Sequence, residues 1–328
     1  MSLLIGLTYD LRSDYRKLGF PEEQLAEFDA DETIQALESG LQALGYRTDR
    51  IGHVRALCER LVRGDRWDLV FNICEGVSGR SREAQVPAVL EAYGIPCTFS
   101  DPLVCAVTLD KAVTKRLVKA CGLRTPPFQV VERLEDLRGL KLDFPLFAKP
   151  IAEGTGKGVN SSSRIETAEG LATLCAALLA RYAQPVLIEE FLPGREFTVG
   201  IVGTGPAARV LGTMEITVRD PENSGIYSFE NKEKCEQLVN YAPMERGALR
   251  RRVEKLALQS YVALECRDGG RVDIRLDHRG RPSFMEVNPL AGLHPYHSDL
   301  PMIATQEGMA YTELLAAIIE SARKRLPT

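Results

Sequence analysis

Asp273, Glu286 and Asn288 are the residues whose types and spacing point most directly to chemistry. Arg271–Asp277 alternates charged and apolar residues, so a strand there puts Arg271, Asp273 and Arg275 on one face. A turn-like His278-Arg279-Gly280-Arg281 leads into Pro282–Pro289, where Glu286 and Asn288 share a face. Paired antiparallel, the two strands bring Asp273, Glu286 and Asn288 together beside Arg271. Two carboxylates and an amide oxygen are hard donors suited to Mg²⁺, which keeps few protein ligands and leaves room for phosphate oxygens. A surface hairpin with cross-strand charge pairs is the competing reading. The apolar neighbours weigh against it, because unpaired acids among them are costly without a cation.

Two further segments carry polar chemistry. Phe147-Ala148-Lys149-Pro150 reads as a strand ending in a lysine, followed by Glu153-Gly154-Thr155-Gly156-Lys157-Gly158. Glycines let backbone amides approach phosphate oxygens and a nearby lysine supplies charge. The segment is not a Walker A loop, since Lys157 precedes glycine, and it is not a dinucleotide fingerprint, since no helix follows. It also reads as a glycine-rich hairpin turn. Val186-Leu187-Ile188-Glu189-Glu190-Phe191-Leu192 is an apolar strand delivering two acids and a Phe, then a turn, then Glu196 at the start of another strand. Backbone groups of such a linker suit an adenine edge, and Glu196 suits ribose hydroxyls. An ordinary strand-turn-strand with surface acids reads the same way.

The elements that must position these residues follow from periodicity. Strand patterns at Leu3–Thr8, Arg47–Ile51, Trp67–Ile73 and Ile95–Phe99 alternate with helical patterns at Glu32–Leu44, Val54–Arg63 and Arg82–Tyr93. That order predicts a parallel sheet with crossover helices, and makes the loops Tyr9–Phe28 and Cys74–Ser81 candidate substrate loops. One helix is expected over Thr108–Cys121, then strand, helix, strand, glycine loop, strand, helix and strand from Phe128 to Glu190. Strands follow at Glu196–Val202 and Arg209–Ile216, then helices near Arg246–Leu264 and Tyr311–Arg325. His294 and His297 lie in a Pro-containing loop with no third ligand in reach, which favours a structural role. Trp67 reads as core, and His53 and His278 as surface.

The 328 residues carry a formal charge of −4, without the basic excess that nucleic-acid or membrane-surface binding requires. Arg250-Arg251-Arg252 reads as a solvated helix face. The 8 cysteines are scattered with no C-x-x-C pair, which suits a reducing compartment. The N-terminus lacks a basic region and a cleavage site, and no apolar stretch approaches a membrane span, so the cytoplasm is expected.

Taken together, Lys149-Pro150 with its glycine loop, Glu189–Leu192 with Gly194–Val199, and Arg271-Val272-Asp273 with Glu286–Pro289 resemble, in order and spacing, the ATP-grasp fold. Gly94-Ile95-Pro96-Cys97-Thr98-Phe99-Ser100 and Asp110-Lys111-Ala112-Val113-Thr114-Lys115 resemble segments of the D-alanine–D-alanine ligases. The resemblance runs from about Phe71 to the end. It implies an α/β (α+β) ATP-grasp fold with an N-terminal Rossmann-like parallel-sheet domain over 1–107, a central subdomain over 108–190 and a C-terminal subdomain over 191–328 with the metal and catalytic site. By matching position, Lys111 and Lys149 contact ATP phosphates and Glu153, Gly154, Thr155, Gly156, Lys157 and Gly158 cover them. Glu189, Glu190, Phe191 and Leu192 frame adenine, and Glu196 holds the ribose. Asp273, Glu286 and Asn288 hold one or two Mg²⁺, with Mn²⁺ a possible substitute. Arg271 stabilises oxyanion charge, Lys232 in the Tyr227–Lys232 loop reaches the γ-phosphate, and Ser298 binds the second substrate's carboxylate.

The implied reaction is carboxylate activation to an acyl phosphate, then attack by an amine, as in a D-alanine–D-alanine or close dipeptide ligase serving cell-wall peptidoglycan synthesis, with small amino acids as substrates and a homodimer as the assembly. Three substrate-facing loops depart from the family pattern. The first-strand loop is Thr8–Asp14, with Asp10 or Asp14 as the nearby acids in place of the usual Glu. Glu75-Gly76, followed by Arg80, Arg82 and Glu83, stands where the family has His-Gly, and Leu293–Asp299 is longer and richer in His. A ligase for another amino or hydroxy acid in specialised metabolism, and a nucleotide-binding protein without ligase activity, are the alternatives.

Overall fold

The computed structural model describes residues 2–218 and 238–326. The Tyr227–Lys232 segment, and with it Lys232, lies outside the described residues. Three sheets are drawn from successive stretches of chain. The first is parallel, with β1 (Leu4–Thr8) between β2 (Arg47–Gly52) and β3 (Leu69–Asn72). Ile5 and Leu7 point to one face and pack on Ile34, Leu37 and Leu41 of α3 (Asp31–Ala43). The other face is covered by Leu57 and Leu61 of α4 (Val54–Val62) and by Val86 and Leu90 of α5 (Gln85–Ala92). Gly6 serves this packing, since a Cβ there would fall 2.5 Å from Ile51 and 2.9 Å from Trp67. Trp67 is core, with its indole N–H donating to Asp49 at 2.9 Å.

The fourth expected strand, Ile95–Phe99, does not form a ladder. The Val70 amide donates to the Pro96 carbonyl and the Thr98 amide to the Val70 carbonyl, but Pro96 offers no amide and Phe99 turns to φ +67°. The Tyr9–Phe28 loop also departs from expectation by holding two short helices, α1 (Arg12–Lys17) and α2 (Glu22–Leu25). The single helix expected over Thr108–Cys121 is two, α6 (Pro102–Leu109) and α7 (Lys111–Ala120). Asp110 breaks them apart: its carboxylate accepts from the amides of Ala112 and Val113, the local bonding of an N-cap, and so starts a new helix axis.

The second sheet runs β4 (Phe128–Val131), β7 (Val186–Glu190), β5 (Leu146–Pro150), β6 (Arg164–Ile165) and packs on α8 (Ala168–Tyr182) through Leu171, Cys175 and Leu178. The third runs β10 (Val239–Pro243), β9 (Arg209–Val218), β8 (Glu196–Val202), β11 (Gly269–Leu276), β12 (Pro282–Asn288), all antiparallel. Its core face meets α9 (Ala248–Ala263), whose buried Val253, Leu256, Ala257, Ser260 and Tyr261 form one helical stripe. Arg250 is not solvated as expected. It pairs with Glu254 and Glu307, each at 2.6 Å, while Arg251 and Arg252 stay exposed. The chain after β12 returns to the first sheet. Leu300 and Ile303 of α10 (Asp299–Gln306) and Leu314 and Ile318 of α11 (Tyr311–Arg323) share a core with Ile5 and Leu7. α10 was hidden in sequence by Pro301, which the first turn of a helix tolerates. Among the described residues no helix is long and apolar enough to cross a membrane.

Candidate active site

Period-two alternation places the chemistry. In β11, Val272, Ile274 and Leu276 enter the core with Phe197, Val199 and Ile201, so Arg271, Asp273 and Arg275 face away from it. In β12 strict alternation fails. Phe284 and Val287 are both core, because a bulge opposite Asp273/Ile274 pairs Asp273 with Glu286 but Ile274 with Phe284. The extra residue sets Glu286 directly across from Asp273 and Asn288 across from Arg271.

Asp273 accepts from the Thr198 hydroxyl at 2.6 Å, from the Arg271 guanidinium at 2.9 Å and from the Asn288 amide at 3.4 Å. Arg271 also reaches Asp299 at 3.0 Å. Burial and the facing Glu286 push the Asp273 carboxyl up to about 6, against the pull of Arg271. Glu286 lies 3.4 Å from the Lys149 ammonium and 3.7 Å from that of Lys111. Burial disfavours the Lys149 charge, but Glu286 and Glu189 outweigh it and hold the ammonium at about 12. The two strands therefore present carboxylates, and the two lysines come to them from β5 and from the first residue of α7.

Glu189 turns inward rather than toward solvent. It is 1% exposed and pairs with Lys115 at 2.6 Å and Lys149 at 3.6 Å. Lys115, fully buried on α7, also donates to the Phe284 carbonyl and the Thr125 hydroxyl. Glu189 thus acts on the site through the lysines. Of the linker amides, that of Glu190 donates to the Pro127 carbonyl and that of Phe191 to Pro145, leaving the Leu192 amide without a partner among the described residues. The Phe191 ring stacks on Phe147, and the guanidinium carbons of Arg164 and Arg275 lie 4.8 and 5.2 Å from its centroid. Arg275 also holds Glu196 at 3.1 Å.

The glycine loop turns through positive φ at Thr155, Gly156 and Gly158. At Gly158 a Cβ would lie 2.6 Å from Pro150, so the loop can fold back on the strand only with glycine there. Its fastening comes from a residue that sequence reasoning did not single out. Glu27 accepts the Gly154 amide at 2.7 Å and pairs with Lys157 and Arg82, each at 3.1 Å. Lys157 is thereby held by Glu27 and Glu153. The Glu153 carbonyl accepts from Lys111, and its carboxylate accepts from Gln184. Arg82 and Lys157 overcome the burial penalty and keep Glu27 below the usual carboxylate range. Glu27→Ala leaves the loop and two buried cations without their anchor. We expect about a tenfold rise in KM for ATP, the loss of roughly one charge-assisted hydrogen bond, in an ADP-release assay; an unchanged KM would exclude a role for this clasp in nucleotide binding.

Two hollows meet at Lys111, Glu153, Gly154, Arg271 and Glu286. The smaller, about 100 Å³, lies between the glycine loop and the Glu190–Leu192 linker. The larger, about 660 Å³, runs from Asn288 to the first sheet's loops and includes Ser298, His294 and His297. The Ser298 hydroxyl accepts the His294 amide at 3.0 Å, and the two imidazole rings lie 4.6 Å apart. Burial and His297 lower the affinity of His294 for a proton. Neither Asp10 nor Asp14 reaches this hollow. Asp10 is buried against the Tyr15 hydroxyl and the Gly76 amide, and Asp14 pairs with Lys17 at the surface. Glu27, Asp29, Glu75 and Glu83 line it instead. Their positions carry no periodic or motif signal at residues 27 and 29.

Residues 117–320 match the family model described as D-ala D-ala ligase C-terminus. The D-alanine–D-alanine ligase of Bordetella petrii is 35% identical over 272 residues, 82% of this chain and 79% of that one. The corresponding ligase of Herminiimonas arsenicoxydans is 30% identical over 97% of this chain and 94% of its own. The ATP complex of the Bacillus anthracis D-alanine–D-alanine ligase superposes with a TM-score of 0.74 at 23% identity, covering 98% of each chain. The VanG D-Ala:D-Ser ligase of Enterococcus faecalis gives 0.76 at 19%, covering 98% of this chain and all of its own. The fold is thus that of the ATP-grasp ligases, and the chain belongs to the D-alanine–D-alanine ligase family.

Proposed function

We propose that this chain uses ATP and Mg²⁺ to activate the carboxylate of an amino acid and join it to an amine. The observation that carries the reading is the convergence of Lys111 and Lys149 on Glu286, with Asp273 directly across the strand pair. Glu286 raises the proton affinity of Asp273 across from it, and the Asn288 side chain, across from Arg271, lies beside them. That donor set fits a divalent cation, with its remaining positions left to phosphate oxygens. Bound there, Mg²⁺ supplies charge neutralisation for phosphoryl transfer.

The chain's own residues supply the rest. Lys111 and Lys149 place two ammonium groups where the transferring phosphoryl charge develops, and the buried pair with Glu189 fixes the reach of Lys149. The Leu192 amide offers an adenine edge its donor, Phe191 a ring held by two guanidinium groups, and Glu196 an acceptor for ribose. The Glu153–Gly158 loop, clasped by Glu27, shields the phosphates from water. Arg271, tied to Asp273 and Asp299, faces the acyl oxygen, and Ser298 at the start of α10 receives the second substrate. A homodimer belongs to the same proposal.

ADP release from ATP in the presence of Mg²⁺ tests it, with D-alanine first and then a panel of amino and hydroxy acids. Release that depends on an added acid supports the ligase. ATP binding with no release across the panel would reduce the chain to a nucleotide binder.

A further inference from the structure

Glu83 is only 9% exposed, lines the larger hollow, and makes no hydrogen bond or ion pair among the described residues. The Arg82 guanidinium directs its hydrogen bonds to the Ala152 carbonyl at 2.9 Å and Glu27 at 3.1 Å, and although its charge favours the ionised Glu83, burial outweighs it. Glu75, from the loop after β3, faces the same hollow, also without a hydrogen bond or ion pair. The local backbone is built to bring them there. Gly76 holds φ +72°, and a Cβ on it would lie 2.6 Å from the Arg82 carbonyl oxygen, so the loop closes tightly on the Arg82–Ala84 turn.

Three cations among the described residues line the hollow and are hydrogen-bonded or paired to other groups: Lys111 with the Glu153 carbonyl and Glu286, Arg271 with Asp273 and Asp299, and Arg12 with the Phe28 and Ala26 carbonyls. Asp29 adds a third acid to the same side. Burial raises Glu83 to about 7, and burial with repulsion from Glu83 raises Glu75 well above the carboxylate range. Two acids are thus held at a cost that a docked cation would remove. The hollow reaches from Ser298 to Glu75 and Glu83, so beside the second substrate at Ser298 it leaves these two acids facing space that a cationic side chain would enter.

We propose that the amino acid activated beside Lys111 is a basic one, and that its side-chain ammonium or guanidinium binds between Glu75 and Glu83. The assignment rests on the ligase reading for the word activated, and on the geometry alone for the cation site.

Calorimetric titration separates the two. The full chain, with Mg²⁺ and a non-hydrolysable ATP analogue, is titrated with both enantiomers of 2,3-diaminopropionate, ornithine, lysine and arginine, and with alanine and norleucine as neutral references. At least one basic amino acid binds about tenfold or more tighter than either reference, the increment of a charge-assisted pair. Glu83→Gln and Glu75→Gln each remove that preference and leave affinity for the ATP analogue within about twofold. Equal binding of basic and neutral amino acids, or a preference that survives Glu83→Gln, overturns the site. Tight binding without ADP release keeps the site and removes the ligase, whereas release with alanine and not with basic amino acids does the reverse.

Folding of the variant is checked by its own pH dependence. The folded state favours the protonated Glu83 carboxyl, so its contribution is complete below about 4.5 and is lost as pH rises through about 7. Glu83→Gln, neutral throughout, melts with wild type at pH 4 and above it at pH 8. A variant that melts lower at both values has lost its fold, and Glu75→Gln then carries the test.

Discussion

Glu286→Ala lowers acid-dependent ADP release by about 10²–10³-fold, the effect of deleting one preorganised electrostatic group at a reacting centre. Glu286 is the point at which the two halves of the site meet. It takes Lys149 at 3.4 Å and Lys111 at 3.7 Å from one side and faces Asp273 on the other. Without it the metal loses a carboxylate donor, and both lysines lose the charge that fixes their heads. The loss falls on kcat more than on KM for ATP, because adenine and ribose contacts lie along the Glu190–Leu192 linker and at Glu196. Folding is little affected, since removal of Glu286 also relieves the repulsion that raises Asp273. A thermal melt at pH 7 serves as the control. Retention of more than a third of the wild-type rate would remove Glu286 from the machinery.

Lys115→Met destabilises the protein by about 3–5 kcal/mol, the range for removing one partner of a buried ion pair. Lys115 is 0% exposed and Glu189 1%, their charges are 2.6 Å apart, and neither meets solvent. Burial lowers the Lys115 ammonium despite Glu189, while Glu189 is held below the carboxylate range by Lys115 and Lys149. Removal of Lys115 leaves Glu189 with Lys149 alone, at 3.6 Å, and draws that lysine away from Glu286. Activity therefore falls with stability. Glu189→Leu in the same background recovers at least half of the stability and none of the activity, because the orphan charge is gone but Lys149 is unguided. Urea denaturation reads the first effect and ADP release the second. A single-variant loss under about 1 kcal/mol would show that water reaches the pair.

Much of the architecture was legible because local rules decide it. The charged–apolar alternation in Arg271–Leu276 and the turn before Pro282–Asn288 specified a hairpin, and the helices α3, α4 and α11 follow the 3.6 period with ends within a residue or two of those expected. Where local rules misled, a single side chain or backbone group intervened. Asp110 capped a new helix inside an apolar run, Pro96 withheld the amide that a fourth parallel strand needs, and Pro301 concealed a helix start.

The sequence by itself therefore determined the elements, the lysine and carboxylate types, and the order in which they occur, since these rest on propensity and period over short spans. Only the tertiary structure decided the bulge that turns Glu286 toward Asp273, the inward rotation of Glu189 onto Lys115, and the meeting of Glu27 with a loop 127 residues away. It also decided that Glu75 and Glu83 line one hollow, with the hydrogen bonds of the neighbouring Arg82 directed to Ala152 and Glu27. The physical reason is the same in each case. Whether a charge is solvated, paired or left facing a cavity depends on packing between distant segments, and no window of sequence contains both partners.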